Sequence, residues 1–293
     1  MYYKKSCPMP KNEGKIELHA HTTASDGHFT PQDLVLFAQE SGITHLAITD
    51  HDTTAGLAAA REQSAKLPIE IIAGIELSAM HLGREIHILG YYIDDQRIIL
   101  QNKLRDLFED RFTRAERMVK KFNSLGYPIK FDDIKAKTGP KGLLGRPHIA
   151  LVLIDYGIVT CITEAFDKYL NPGRPGYVPR MKLSPQEAIK LIKAADGIPV
   201  LAHPGLNFPL SLLPDCLDAG LLGIECYHPR HNPAQTQMYL EIAHSYNLVV
   251  TGGSDFHGYE RDDWKFFGNI TPIEALQQLQ QVKETTRIKP QGI

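Results

Sequence analysis

The sequence predicts an α/β fold, a barrel rather than a small open sheet, with a mainly helical segment inserted in it. Three observations carry this. Short runs rich in Ile, Val and Leu alternate with helical patterns, the helices open on a repeated cap signal, and the alternation lapses between about residues 98 and 181.

The strand candidates are KIELHA (15–20), HLAIT (45–49), IEIIAGIEL (69–77), REIHILGYYI (84–93), IPVLA (198–202), LGIECY (222–227) and LVVTG (248–252). Such short apolar runs are expected of strands buried on both faces of a parallel sheet. Between them, Thr30-Pro31-Gln32-Asp33, Ser184-Pro185-Gln186-Glu187 and Thr271-Pro272-Ile273-Glu274 each join a capping hydroxyl to proline and an acid. That combination opens helices, because the hydroxyl and the acid satisfy backbone N–H groups that the first turn leaves over. Strands alternating with capped helices make βαβ units, and seven strands point to a barrel.

In the middle, LRDLFEDRFTRAERMVKKFNSLG repeats Leu104, Leu107, Phe108, Phe112, Ala115, Val119 and Phe122 at three- and four-residue steps. This is the spacing of one helix face. The expected organisation is a barrel formed by 1–97 and 182–293, with 98–181 as a helical substrate-recognition lobe.

Composition narrows the function classes. The 293 residues are 43% hydrophobic and 23% charged, with a net charge of -2, and the sequence pI is about 6.7. No overall basic field marks a duplex-DNA binder, so an anionic substrate needs a local cationic site. Cys7, Cys161, Cys216 and Cys226 are far apart and form no CxxC pair, which argues against thiolate zinc and against a disulfide framework. The leading MYYKKSCPMPKNEGK carries no signal-like apolar stretch, and no run is long enough for a membrane span. The expected compartment is the cytoplasm, with no membrane partner.

Thirteen histidines stand out, many of them close to acids. His19 and His21 are two apart at the end of the first strand, so both imidazoles face one side. Asp26 follows in a Ser-Asp-Gly turn. The second strand ends in Thr49-Asp50-His51-Asp52, the third carries Glu76 and the fourth His87; later strands end in His203-Pro204-Gly205 and Gly253-Ser254-Asp255-Phe256-His257. Polar groups at strand ends converge on one mouth of an α/β barrel. A single strand-end histidine is ordinarily a hydrogen-bonded polar residue, and His28, His45 and His244 keep that reading, with His81 in a solvated turn. The joint occurrence of HxH, DHD and SDxH favours metal ligation, since unpartnered buried imidazoles and acids would each cost several kcal/mol. Imidazole plus carboxylate suits Mn, Fe(II) or Zn. Nine ligands exceed the needs of one ion and fit two or three.

The motifs GKIELHAHTTASDG, AITDHDT, GIEL, the His87 strand, LAHPG, ECYHPRH and TGGSDFHG resemble those of the PHP (polymerase and histidinol phosphatase) superfamily over nearly the whole chain. The resemblance implies a distorted (β/α)7 barrel and a trinuclear centre, with manganese the expected metal. His19, His21, Glu76 and Asp255 would hold one ion. Asp26, His51 and His257 would hold another, and Glu76 would bridge to a third bound by His87 and His203. The insertion, with GRPHIA and PGYVP, is similar to the 3′,5′-nucleoside bisphosphate phosphatases and short-RNA 5′→3′ exonucleases of that family.

Clustered cations lower the pKa of water, so no serine or cysteine nucleophile is required. Ser254 is accordingly read as a turn residue. His228 and His231 are candidate proton donors or phosphate contacts, and Asp52 a candidate for orienting water. Arg111, Arg114 and Arg117 are three apart on one helix, and Arg146-Pro147-His148 adds a further cation and an imidazole. Arginine forks match phosphate oxygens. A basic helix is usually a solvated face, but the resemblance also places phosphate contacts at Arg114, Arg117 and Arg146. Two substrates stay open: a small nucleotide with two phosphates (pAp-like), and short single-stranded RNA with a 5′-phosphate. Histidinol phosphate fits the arginine-rich insertion less well. A non-catalytic nucleic-acid-binding module is disfavoured by the near-neutral pI and the lack of a basic-aromatic stretch.

Overall fold

The computed structural model describes residues 14–138, 144–179, 181–259 and 262–287. Cys7 and the leading segment lie outside the described residues. A seven-stranded sheet runs in chain order: β1 (Lys15–Ala20), β2 (Ile43–Ile48), β3 (Glu70–His81), β4 (Arg84–Tyr91), β5 (Ile198–Leu201), β6 (Gly223–Tyr227) and β7 (Val249–Gly252). Beyond the ends of β1 and β7, a parallel bridge joins Ala20 to Phe256, with His21 N–H donating to the Phe256 carbonyl at 2.9 Å.

Around the sheet lie α1 (Pro31–Glu40), α2 (Leu57–Ser64), α3 (Ile98–Ser124), α4 (Phe131–Lys137), α5 (Arg146–Asp155), α6 (Ile162–Ala165), α7 (Pro185–Ala194), α8 (Pro204–Asn207), α9 (Leu213–Ala219), α10 (Pro233–Ser245) and α11 (Ile273–Arg287). The caps at Thr30 and Ser184 form as expected: each side chain accepts the N–H three residues on. Asn232-Pro233 opens α10 in the same way. The capping bond expected at Thr271 does not form; its buried hydroxyl meets no hydrogen-bond partner.

The sheet departs from the expected all-parallel arrangement. β4 runs antiparallel to both neighbours. Only Leu82 and Gly83 separate β3 from β4, and both have positive φ (46° and 81°). A two-residue loop of that conformation makes a hairpin, whereas a parallel connection needs a crossover of a dozen or more residues. Reversal brings His87, in the first half of β4, opposite Ser78 near the far end of β3.

One face of the sheet packs Ile16, Leu18, Ala47, Ile72, Leu89, Tyr91 and Val200 against Leu276 and Leu279 of α11. Along β3, Ile72 and Glu76 share this face by parity; along β4, His87, Leu89 and Tyr91 do. The same face is therefore apolar at one end and carries the candidate ligands Glu76 and His87 at the other. A second core, including Leu46, Ile75, Leu77 and Ile88, packs against the surrounding helices.

α3 serves two cores. Leu100, Leu104 and Leu107 belong to the sheet's core, whereas Ala115, Met118, Val119 and Phe122 join α5 residues Ile149, Ala150 and Leu153 in a separate cluster. Packing thus changes hands within one helix, between Leu107 and Ala115. Phe122 is fully buried there. Phe122→Ala should cost about 3–5 kcal/mol, the usual range for emptying such a site, measured as a shift in denaturant midpoint.

Candidate metal centre

Glu76, wholly buried, sits among five imidazoles. Its Oε1 lies 2.9 Å from His87 Nδ1 and 3.0 Å from His203 Nε2. Its Oε2 lies 3.1 Å from His51 Nδ1 and 3.3 Å from both His19 Nε2 and His21 Nε2. Asp255 Oδ1 stands 3.2 Å from His21 Nε2 and 3.5 Å from His19 Nε2, and His257 Nε2 is 3.3 Å from Asp26 Oδ1. All nine residues expected from the sequence to be ligands meet at this one place.

Strand ends bend sharply to do this. Asp52, His203 and Asp255 have φ of 52°, 25° and 54°, a region costly for residues with a side chain and concentrated at functional sites. Gly253 is required for another reason. A Cβ there would stand 2.2 Å from His19 Cβ, so only glycine lets this strand end approach β1.

Three groups of ligand atoms lie within 4.8 Å of one another: His19, His21, Glu76 and Asp255; His21, Asp26, His51 and His257; and His51, Glu76 and His87. His203 faces Glu76 beside the third group. His19 Nε2, both His21 nitrogens, His51 Nδ1, His87 Nδ1 and Glu76 Oε2 are buried and make no hydrogen bond. Leaving a buried polar atom unsatisfied costs roughly 1–3 kcal/mol, and so many at one point fit a site that cations complete.

Charge is strongly coupled here. Burial alone would raise the Glu76 carboxyl, but His51, His87 and His19 outweigh it and hold Glu76 well below the usual range. Burial disfavours a charged His21, yet the Asp255 and Glu76 carboxylates beside it outweigh burial and push it up to about 9. His51 falls to about 4, first by burial and then through its imidazole neighbours, with Glu76 opposing.

Glu225 completes the centre, and the sequence reading missed it. This buried β6 carboxylate takes His19 Nδ1 at 2.9 Å through Oε1 and the His203 backbone N–H at 2.7 Å through Oε2. Holding the proton on Nδ1 turns the Nε2 lone pair of His19 toward Glu76 and Asp255. The available signal was an acid inside the apolar run LGIECY, the same kind of signal that marked His87.

Among the other candidates, Asp52 accepts the Ser78 N–H at 2.9 Å and holds Arg111 Nη2 at 2.6 Å. Its carboxylate therefore anchors α3 beside the ligands. His231 spends both ring nitrogens: Nδ1 donates to the Cys226 carbonyl and Nε2 accepts the Gly205 N–H. That corrects its reading as a proton donor. His228 Nδ1 accepts the Arg230 N–H, so in the neutral ring Nε2 carries the proton, 3.8 Å from Asp255 Oδ2.

Arg114 and Arg146 line one cavity with Arg111, Lys182 and Tyr177. Arg114 Nε donates to the Val178 carbonyl, and Arg146 lies over the Phe166 ring while donating to the Leu170 carbonyl. His148 and Arg111 line the adjoining cavity with Asp26, His51 and His87. Arg117 is not with them. It is half exposed and paired to Asp110 at 3.0 Å.

The PHP domain family matches residues 17–130. The 3′,5′-nucleoside bisphosphate phosphatase of Chromobacterium violaceum is 34% identical over 248 residues, 83% of this chain and 87% of that protein. The chain belongs to the PHP family. Other relatives are equally similar. The phosphoribosyl 1,2-cyclic phosphate 1,2-diphosphodiesterase of Eggerthella lenta is 34% identical across 83% of this chain and 94% of its own length. The 5′-3′ exoribonuclease Rnm of Escherichia coli is 34% identical across 82% and 84%. Among solved structures, a metal-dependent phosphoesterase of Bifidobacterium adolescentis matches at TM-score 0.75 and 32% identity, covering 90% of this chain and 94% of that one. An amidohydrolase of C. violaceum, solved with sulfate and without metal, matches at 0.73 and 31%, covering 90% and 96%.

Two measurements probe the centre. Glu76→Ala should abolish stoichiometric Mn binding, read by metal analysis after desalting. Glu225→Gln should weaken Mn binding about 10- to 100-fold in a competition titration, the usual effect of losing a carboxylate that orients a ligand histidine.

Proposed function

We propose that this PHP-family chain is a metal-dependent phosphoesterase that removes the 3′-phosphate of nucleoside 3′,5′-bisphosphates to give the 5′-monophosphate. The observation that carries this reading is the shared wall between the metal-capable cluster and a cationic cavity. Glu85, Arg111 and Gly145 border both the cavity beside His51 and His87 and the one holding Arg114, Arg146 and Lys182. A substrate with two phosphates can set one at each end. We read the bridged seven-stranded sheet as the distorted barrel that supports the cluster, and 98–181 as the lobe that supplies the cationic end.

His19, His21, Asp26, His51, Glu76, His87, His203, Asp255 and His257 would hold two to three divalent ions, manganese before zinc or iron. Bound there, such ions would polarise the phosphoryl group and lower the pKa of water. The protein's own residues do the rest. Arg114 and Arg146, with Arg111 and His148 nearer the centre, hold the non-reacting phosphate through charge-assisted hydrogen bonds. Asp52 fixes Arg111. His228, with its Nε2–H directed at the cluster, would hydrogen-bond the departing O3′, whose proton comes in balance from the attacking water. The compartment proposed is the cytoplasm; among the described residues no helix is long and apolar enough to cross a membrane.

Release of 5′-nucleotides from short 5′-phosphorylated RNA is the second reading, and the chemistry makes it a variant of the first. In both, water adds to phosphorus and the bond from phosphorus to O3′ of the clamped nucleotide breaks. Only the group on the far side of the phosphorus differs.

The deciding experiment is Mn-supplemented turnover of pAp beside a 5′-phosphorylated dinucleotide, following which phosphate is released; hydrolysis of neither would refute the reading. Arg146→Ala should lower kcat/KM for pAp about 10- to 100-fold, as loss of a charged hydrogen bond implies. p-Nitrophenyl phosphate, which has no second phosphate, should change little, and equal losses on both would exclude the clamp. His228→Ala should lower kcat about 10- to 100-fold with metal content retained, as loss of a hydrogen bond to developing charge implies.

A further inference from the structure

The cleft continues past the metal centre. Asp26, His51, Glu85 and His87 border the clamp-side cavity and also a third cavity, whose remaining wall includes His203, Leu206, Asn207, Phe208 and Arg230. Cations therefore lie at one end of a continuous trough, ligands in the middle, and a different surface at the far end. In the reading above, the 5′-phosphate, nucleoside and 3′-phosphate of a nucleoside 3′,5′-bisphosphate lie between the clamp and the ligands, which leaves that end without an occupant.

We propose that Leu206, Asn207, Phe208 and Arg230 form a subsite for the nucleoside downstream of the scissile phosphate, filled only when the substrate is an oligonucleotide. The proposal rests on the phosphoesterase reading above and names the substrate feature that separates its two versions.

The chemistry of the wall fits that occupant. Leu206 and Phe208 are partly exposed and offer apolar surface to a base face, and the exposed Asn207 amide can both donate to and accept from a base edge. Arg230 is 57% exposed, with its guanidinium 4.0 Å from Asp255 Oδ2, beside the ligands where the scissile phosphate would lie. The cavity holds about 230 Å³, below the roughly 300–1,000 Å³ of drug-sized sites.

The segment is also held in place. Leu206 N–H donates to the His203 carbonyl and Phe208 N–H to the Pro204 carbonyl. His231 Nε2 accepts the Gly205 N–H at 3.1 Å, and Gln235 Nε2 donates to the Gly205 carbonyl at 3.3 Å. His231 thus braces the turn that starts at the ligand His203, which explains why both its ring nitrogens are spent.

Atom balance gives the subsite a consequence. For a dinucleotide pNpN, water supplies hydroxyl to phosphorus and a proton to O3′, giving two 5′-mononucleotides. On a longer chain the downstream product keeps the phosphate on its 5′-oxygen. It leaves this subsite already carrying the group that the clamp recognises, so repeated cleavage proceeds from the 5′-end.

The test compares pAp with 5′-phosphorylated diadenosine (pApA) for wild type, Asn207→Ala and Phe208→Ala with Mn present. A second readout is equilibrium binding of a pApA analogue with a methylphosphonate linkage, without added metal. Each variant should lose about tenfold in kcat/KM for pApA and in affinity for the analogue, within the range for a lost base contact. Turnover of pAp should stay within about twofold of wild type. Asn207 is exposed and outside the core, so it keeps the test decisive if Phe208→Ala unfolds. Equal losses on both substrates, or an unchanged pApA rate in the variants, overturns the subsite. Wild-type hydrolysis of pAp with no cleavage of pApA also overturns it while leaving the phosphatase reading intact. If wild type cleaves neither, the phosphoesterase reading falls and takes the subsite with it.

Discussion

A single buried carboxylate sets the conditions for the rest of the molecule. Glu76 is sealed from solvent with both oxygens against imidazoles brought by four other strands: His19 and His21, His51, His87, and His203. An ion so placed is tolerable only when compensated on every side. The sheet must therefore deliver those strand ends to one point and seal the other end with apolar side chains and α11. The positive φ angles at Asp52, His203 and Asp255 and the bare Cα of Gly253 are local costs of that convergence.

The surrounding acids divide the work. Glu225 selects the proton position of His19 and pins the backbone of His203. Asp52 binds Arg111 across the join between sheet and insertion. That ion pair is buried, 12% and 1% exposed at its two side chains, so removing one partner would leave the other uncompensated beside the ligands. α3 is thus electrostatically tied to the cluster, through the stretch where its packing passes from one core to the other.

In the reading we propose, specificity follows from the order of chemistry along one trough. Arginines and a lysine at one end suit a phosphate that does not react. Ligands in the middle suit one that does, and the amide and apolar wall beyond suits a base. The curated relatives carry names for a bisphosphate phosphatase, a cyclic phosphate diphosphodiesterase and an exoribonuclease at the same 34% identity, so overall similarity by itself does not choose among those activities.

Much of this was legible in the sequence, and the reason is local. Metal ligands at strand ends keep a short-range signature, such as HxH or DHD, because a period-2 strand forces i and i+2 to one face. The caps at Thr30 and Ser184 were readable for the same reason, as each acts within four residues. Tertiary structure alone decided what depends on distant partners. Arg111 rather than Arg117 borders the centre because Asp52, 59 residues earlier, claims it, and Arg117 finds Asp110 instead. His231 became a brace because Gly205 and Cys226 take both its nitrogens. Glu225 looked like an ordinary strand residue until a histidine 206 positions away met it. The sequence by itself determined which residues could bind metal and phosphate. Which of them face each other was decided by packing, since a side chain's hydrogen-bond partner is set by proximity in space and leaves no periodic trace along the chain.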